Sequence, residues 1–119
     1  MYRLLSLSVV AVVLAQGSLS AHHSYAMYDR EHPVTIEGDI ERVAYENPHT
    51  IVTIRATDAV YTLEWGALNQ LQRWNVSPGV LKAGDHVVVT GSAFRNPSVH
   101  QLSLLKEIRR PSDGWRWSR

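Results

Sequence analysis

The chain has 119 residues, no cysteine, and a formal net charge of +1 from 12 basic and 11 acidic side chains. The absence of cysteine excludes disulfides, thiolate metal sites, thiol redox chemistry and haem attachment through cysteine. The near-neutral, mixed charge is not the footprint of a nucleic-acid binder, and the length fits one small domain.

Arg3 precedes an apolar run over residues 4–15, which Gln16, Gly17 and Ser18 break; small residues follow at Ser20 and Ala21. That order predicts a secretory signal peptide over residues 1–21, cleaved after Ser20 or Ala21. The run falls short of the ~20 apolar residues that cross a bilayer, and no positive cluster follows it. The mature chain is therefore expected in the periplasm or outside the cell, with no membrane span after processing. Residues 22–109 read as one β domain, and residues 110–119 as a C-terminal tail.

Val34, Ile36, Gly38 and Ile40 alternate with Thr35, Glu37, Asp39 and Glu41, the pattern of a half-buried strand. The apolar parity then slips to Val43 and Tyr45. The slip predicts a bulge or bend between Ile40 and Val43, with Gly38 easing strong coiling. Asn47-Pro48 marks a turn. Residues 51–56 are β-branched and apolar, a second strand. Thr57-Asp58 turns the chain into residues 60–65, which carry Tyr61, Leu63 and Trp65 on one face. The pair reads as a hairpin.

Leu68, Leu71 and Trp74 recur at helical spacing and predict a short helix over residues 66–74, ended by residues 75–78. A turn over residues 81–85 leads to a Val-rich strand over 86–91. A turn over 95–98 leads to a last strand over 100–108, with Leu102 and Leu104 inward. In an extended tail Trp115 and Trp117 lie on one side. They either cover an apolar patch of the domain or offer a hook to a partner.

The order strand, strand, strand, helix, strand, strand predicts a mainly β fold: a small five-stranded, OB-like Greek-key barrel with one short helix between strands 3 and 4. A long, bent first strand suits a barrel in which it serves both sheets, and closure removes exposed edges. An open sandwich of the same strands is the alternative.

Three stretches carry a family resemblance. His22-His23-Ser24-Tyr25-Ala26 precedes a strand, Asn47-Pro48-His49 forms a turn, and Leu81-Lys82-Ala83-Gly84-Asp85 leads into a Val-rich strand. In order and spacing the mature chain resembles a family of small secreted bacterial proteins of unknown function with an OB-like domain. The resemblance implies a periplasmic location and a single small β domain, and it brings no assigned reaction.

The predicted cleavage creates a new amine beside two histidines. If the mature chain starts at Ala21, His23 is its third residue. The amine, two backbone amides and that imidazole then form a square-planar nitrogen set suited to Cu(II) or Ni(II). If it starts at His22, the amine and its own imidazole chelate copper, and His49 or His100 completes the site. Against this, His22 and His23 are also what a frayed polar start looks like, and neighbours on a strand point to opposite faces. Asn47 and His49 are candidate ligand-binding residues, because their stiff turn borders the usual binding face of such a barrel. The plainer role is to satisfy turn backbone groups. His32, His86 and His100 read as solvated.

Nothing resembles catalytic machinery. Glu37, Asp39 and Glu41 share a solvated face, the serines form no nucleophile elbow, and no Gly-rich phosphate loop occurs. Tyr61, Trp65 and Trp74 are spaced for a core; a stacking platform would need them exposed. The sequence thus predicts a non-catalytic periplasmic binding protein, with Cu(II) at the processed amino terminus as the first ligand to consider. The alternative is an interaction module that docks an unknown periplasmic protein through the barrel face or the Trp-containing tail. No nucleic acid is expected as a partner, and no membrane span after processing.

Overall fold

The computed structural model describes residues 25–119. The predicted leader, its cleavage site and the His22-His23 pair lie outside the described residues. The elements are β1 (Val34–Ala44), β2 (Ile51–Ala56), β3 (Val60–Glu64), α1 (Leu68–Arg73), β4 (His86–Ala93), β5 (Gln101–Arg110) and β6 (Trp115–Ser118). The strands lie in the order β3-β2-β1-β4-β5-β6, and β3 also pairs with β5. That last pairing is parallel, with Thr62 opposite Gln101 and Leu63 opposite Leu102. It closes the first five strands into a barrel, and β6 extends the sheet beyond β5. The barrel and its short helix after β3 are those the strand order predicts.

β1 is long because it serves two neighbours. Val34 to Asp39 pair with β4, and Gly38 to Ala44 pair with β2. The register shifts between Ile40 and Arg42, the predicted bulge. It turns the apolar parity so that Ile40 stays in the core while Glu37, Asp39 and Glu41 remain exposed. Gly38 sits at the overlap of both pairings. A Cβ there would overlap the Arg55 carbonyl oxygen and lie 2.8 Å from Ile54 Cγ2, so the strands approach this closely only without a side chain.

The barrel interior is filled by Ile54, Leu63, Val87, Val89, Leu102 and Ile108, all essentially without solvent exposure. Each such side chain contributes roughly 1.5–3 kcal/mol through burial. Leu71 of α1 and Leu81 of the following loop plug one end. Tyr61, expected in the core, is half-buried. Its ring packs on the core while its hydroxyl donates to the Asp58 carboxylate at 2.9 Å, which keeps the polar end at the surface.

Three further expectations are corrected. Leu104 is not an inward strand residue: it is half-buried at φ 50°. Ser92 faces Ser103 while Thr90 faces Glu107, so β5 carries two extra residues across this stretch and Leu105 takes the inward place. The helix is shorter than residues 66–74. Trp74 caps it, and Asn75 at φ 57° turns the chain out in the left-handed conformation that asparagine tolerates. The tail is not separate from the domain. β5 runs to Arg110, and β6 pairs with it, Trp117 opposite Ile108 and Trp115 opposite Arg110.

Trp117 is buried, with its ring 5.4 Å from Trp65 in an edge-on contact and 5.1 Å from Trp74. Arg110 fastens the same end. Its guanidinium donates to the Asp85 carboxylate at 2.8 Å, to the Val80 carbonyl at 2.7 Å and to the Asp113 carboxylate at 2.9 Å. The loop before β4 and the β5–β6 turn are thereby tied together. Among the described residues no helix is long and apolar enough to cross a membrane.

Candidate functional site

The β1–β2 turn is positioned by backbone bonds to the end of β3. Thr50 N–H donates to the Gly66 carbonyl at 2.9 Å, and Trp65 N–H donates to the Thr50 carbonyl at 2.8 Å. His49, one residue before Thr50, is therefore set at the junction between β3 and α1. The N-cap of α1 is Ala67, which has no side-chain acceptor. Asn47 supplies one from the turn, its Oδ1 accepting from Leu68 N–H at 3.0 Å, and Gln70 Oε1 accepts from Ala67 N–H at 2.9 Å. Asn47 thus has the structural role, in a longer-range form than a turn bond.

His49 faces a small cleft of about 70 Å³ that it shares with Tyr25, Glu64, Trp65, Ser103 and Trp117, among others. That is room for an ion or a few waters, well below the ~300–1,000 Å³ of a pocket for a drug-sized ligand. The floor is aromatic, from Trp65, Trp74 and Trp117. The polar wall is Glu64, whose carboxylate accepts from Ser103 Oγ at 3.2 Å. Trp65 Nε1 is buried without a hydrogen-bond partner among the described residues, as is Thr50 Oγ1, whose residue does not line the cleft. Such atoms cost free energy where they stand.

The start of the described chain is pinned along the end of β4, and its Tyr25 lines the cleft. Tyr28 bridges to Phe94, with the two rings 5.4 Å apart and edge-on. Asp29 N–H donates to the Ala93 carbonyl at 2.8 Å, Arg95 N–H to the Met27 carbonyl at 2.7 Å, and Arg95 Nε to the Ala26 carbonyl at 2.9 Å. Burial pushes the Tyr28 phenol up to about 12, with the charge of Glu64 and then Tyr25 adding to the effect. Tyr28 therefore stays neutral across the ordinary pH range.

The other predicted residues are dispersed. His100 lies in the loop before β5 and lines a different cleft with Val34 and Phe94, its ring 5.3 Å from that of Tyr61. His86 is exposed between Asp39 at 2.7 Å and Glu37 at 3.2 Å, and these carboxylates raise its pKa above the ordinary value. His32 is exposed beside Asp29 at 3.1 Å. Trp65 is core, and Tyr61 and Trp74 pack against it, so the three aromatics form no open stacking platform. Among the described residues no three His, Asp or Glu side chains come together to hold a metal ion. A metal at His49 would need donors from elsewhere.

Sequence reasoning missed Glu64, Ser103 and the tryptophan floor as partners of His49. Glu64 reads as an outward strand residue by parity, and only closure of β3 on β5 turns it toward Ser103. The Trp115-Arg116-Trp117 alternation was the available signal that the tail had an inward face.

A family model described as "Family of unknown function (DUF6152)" matches residues 9–103. No curated protein and no solved structure matches the chain.

Proposed function

The chain belongs to the DUF6152 family, and from that premise we propose that it is an exported, non-catalytic binding protein that holds one Cu(II) ion through its processed amino terminus, with His49 as an added nitrogen ligand. The observation that supports this is the shared cleft: Tyr25 and His49 line it together. Two residues, His23 and Ser24, separate His22 from Tyr25, a span of at most about 11 Å. A tether this short supports an approach of the new amine to the cleft that His49 lines, whereas His100 belongs to another cleft. The cleft's volume suits an ion, and Glu64 and Arg119 both line it, so its walls carry charge of both signs. An amine with imidazoles favours a tetragonal Cu(II) site over zinc. Binding weakens as pH falls, because protons compete for the same nitrogens.

The test is a copper titration of the correctly processed protein against a form with one extra residue before its natural start. The extension displaces the amine and is expected to abolish tight binding. Equal affinity in the two proteins would overturn the amino-terminal site. Mass spectrometry of periplasmic material fixes the start. His22→Ala abolishes binding if the chain starts at His22, and His49→Ala then weakens it. His23→Ala is the damaging change if the chain starts at Ala21.

A second reading, docking of a periplasmic protein, is supported by a separate groove of about 320 Å³ on the barrel face, lined by Val34, Tyr61, Phe94, Val99 and His100 among others. The tail's tryptophans pack on the barrel, so this groove is the better surface for a partner. Capture of one partner that Val34→Asp prevents, from protein with no copper affinity, would favour it.

A further inference from the structure

The two extra residues of β5 shape more than one cleft. The bulge lies against Gly91, where a Cβ would come within 2.8 Å of Leu105 Cδ2 and 3.1 Å of the Ser103 carbonyl oxygen. Within it Leu104 holds a φ of 50°, a left-handed conformation that a side-chain-bearing residue adopts only under constraint. Bulges of this kind re-aim side chains and concentrate near functional sites. Leu104 and Arg119 line the His49 cleft and also a second one of about 370 Å³, whose remaining walls are Arg30, Ser92 and Lys106.

The lining of this second cleft is cationic, with no carboxylate side chain in it. Its three cations come from distant parts of the chain. Arg30 follows the pinned segment before β1, Lys106 lies within the bulged stretch of β5, and Arg119 is held beside Lys106 by its N–H donating to the Lys106 carbonyl at 3.1 Å. Among the described residues none of the three forms an ion pair, and residues 1–24 contain no acidic side chain. Glu107, the acid next to Lys106, pairs instead with Arg109 at 2.9 Å and Arg116 at 2.7 Å. Three like charges around one concavity repel, and an anion between them relieves that repulsion while accepting charge-assisted hydrogen bonds. Two arginines offer forked donors and the lysine a point charge, a set suited to a multiply charged oxyanion.

We propose that Arg30, Lys106 and Arg119 form an anion site for a small oxyanion of the phosphate type, in a cleft that adjoins the His49 cleft and shares Leu104 and Arg119 with it. The cations are solvent-facing, so affinity falls as ionic strength rises.

The experiment is a titration of the processed full chain with inorganic phosphate, in the presence of a chelator and at constant ionic strength, followed by amide NMR shifts. Saturable shifts are expected at Arg30, Leu104, Lys106 and Arg119. Arg30→Gln and Lys106→Gln are each expected to weaken binding severalfold, and the double variant at least tenfold. Arg73→Gln, on α1 and outside the cleft, leaves it unchanged. No saturable shift, or undiminished affinity in the double variant with its melting temperature intact, would overturn the site. A parallel arm uses vesicles containing phosphatidylglycerol. Attachment to these with no response to free phosphate would also overturn the small-anion assignment, by pointing to a lipid surface.

Discussion

Replacing Gly38 by alanine tests the barrel's tightest strand approach. The Gly38 backbone lies outside the left-handed region, so the added methyl would ordinarily stabilise the protein by about 0.4–1 kcal/mol through unfolded-state entropy. The native packing opposes this. The new Cβ would lie 2.8 Å from Ile54 Cγ2 and from the Arg55 carbonyl carbon, and closer still to the carbonyl oxygen. Ordinary carbon–carbon contact is ~3.5–4.0 Å, so β1 and β2 must separate by roughly 0.7–1 Å. Gly38 pairs with Ala56 on one side and Val87 on the other, so movement away from β2 presses on β4. Overpacking of this kind costs about 1–3 kcal/mol, against roughly 5–14 kcal/mol for a whole domain of this length. The steric cost wins. With the unfolded-state gain subtracted, a mid-range net cost of about 1–1.5 kcal/mol and a urea m-value of about 1–1.5 kcal/mol/M lower the midpoint by about 1 M. The assay is urea unfolding followed by tryptophan fluorescence, because Trp65 and Trp117 are both buried. A Gly38→Ala midpoint equal to or above the parent's would refute the close approach.

Leu63→Ala, at a side chain with no exposure, should cost about 2–5 kcal/mol in the same assay; an unchanged midpoint would mean that the β3 face is inverted. Removing residues 110–119 should lower the melting temperature markedly, since it deletes buried Trp117 and strips Asp85 of Arg110; an unchanged melting curve would mean that β6 adds nothing. In an ultraviolet titration Tyr28 should ionise at about 12, and Tyr28→Phe should remove that last step; its survival would locate the raised group elsewhere. The His86 ring should titrate above its ordinary value because Asp39 and Glu37 favour the charged form. A raised folded pKa gives stability that is complete below the unfolded pKa of about 6.5 and is lost as pH rises through the folded value. The pair is exposed, so the stability change is small. The ring-proton midpoint is the sensitive readout, and Asp39→Asn should lower it; an unmoved midpoint would refute the pairing.

The strands and helix were legible where the signal is local. Alternation in β1 and β3 comes from the pleat itself, which sends successive side chains to opposite faces, while β2 and β4 were marked by β-branched, apolar composition. The parity slip after Ile40 marked the bulge because a bulge inserts an unpaired residue into that alternation. Leu68, Leu71 and Trp74 marked a helix by period. The order of these elements, together with a long bent first strand, was sufficient for the barrel. His49 was legible as a candidate because its turn joins β1 to β2 at the barrel's rim.

The tertiary structure decided what depends on strands far apart in the chain. Leu104 and Leu105 exchange roles because β5 must match β4 across Gly91, and no neighbour of Leu104 in sequence carries that demand. Asn47 caps α1 from a loop 21 residues away, since Ala67 has no acceptor of its own. β6 exists because β5 has an open edge for it and because Trp65 and Trp74 leave a place for Trp117. The cleft around His49 is the product of all three: closure of β3 on β5 brings Glu64 to Ser103, β6 adds the floor, and the pinned start adds Tyr25. Sequence periodicity reports which face of an element is buried, whereas a site is made where several elements end together, and that convergence is set by packing.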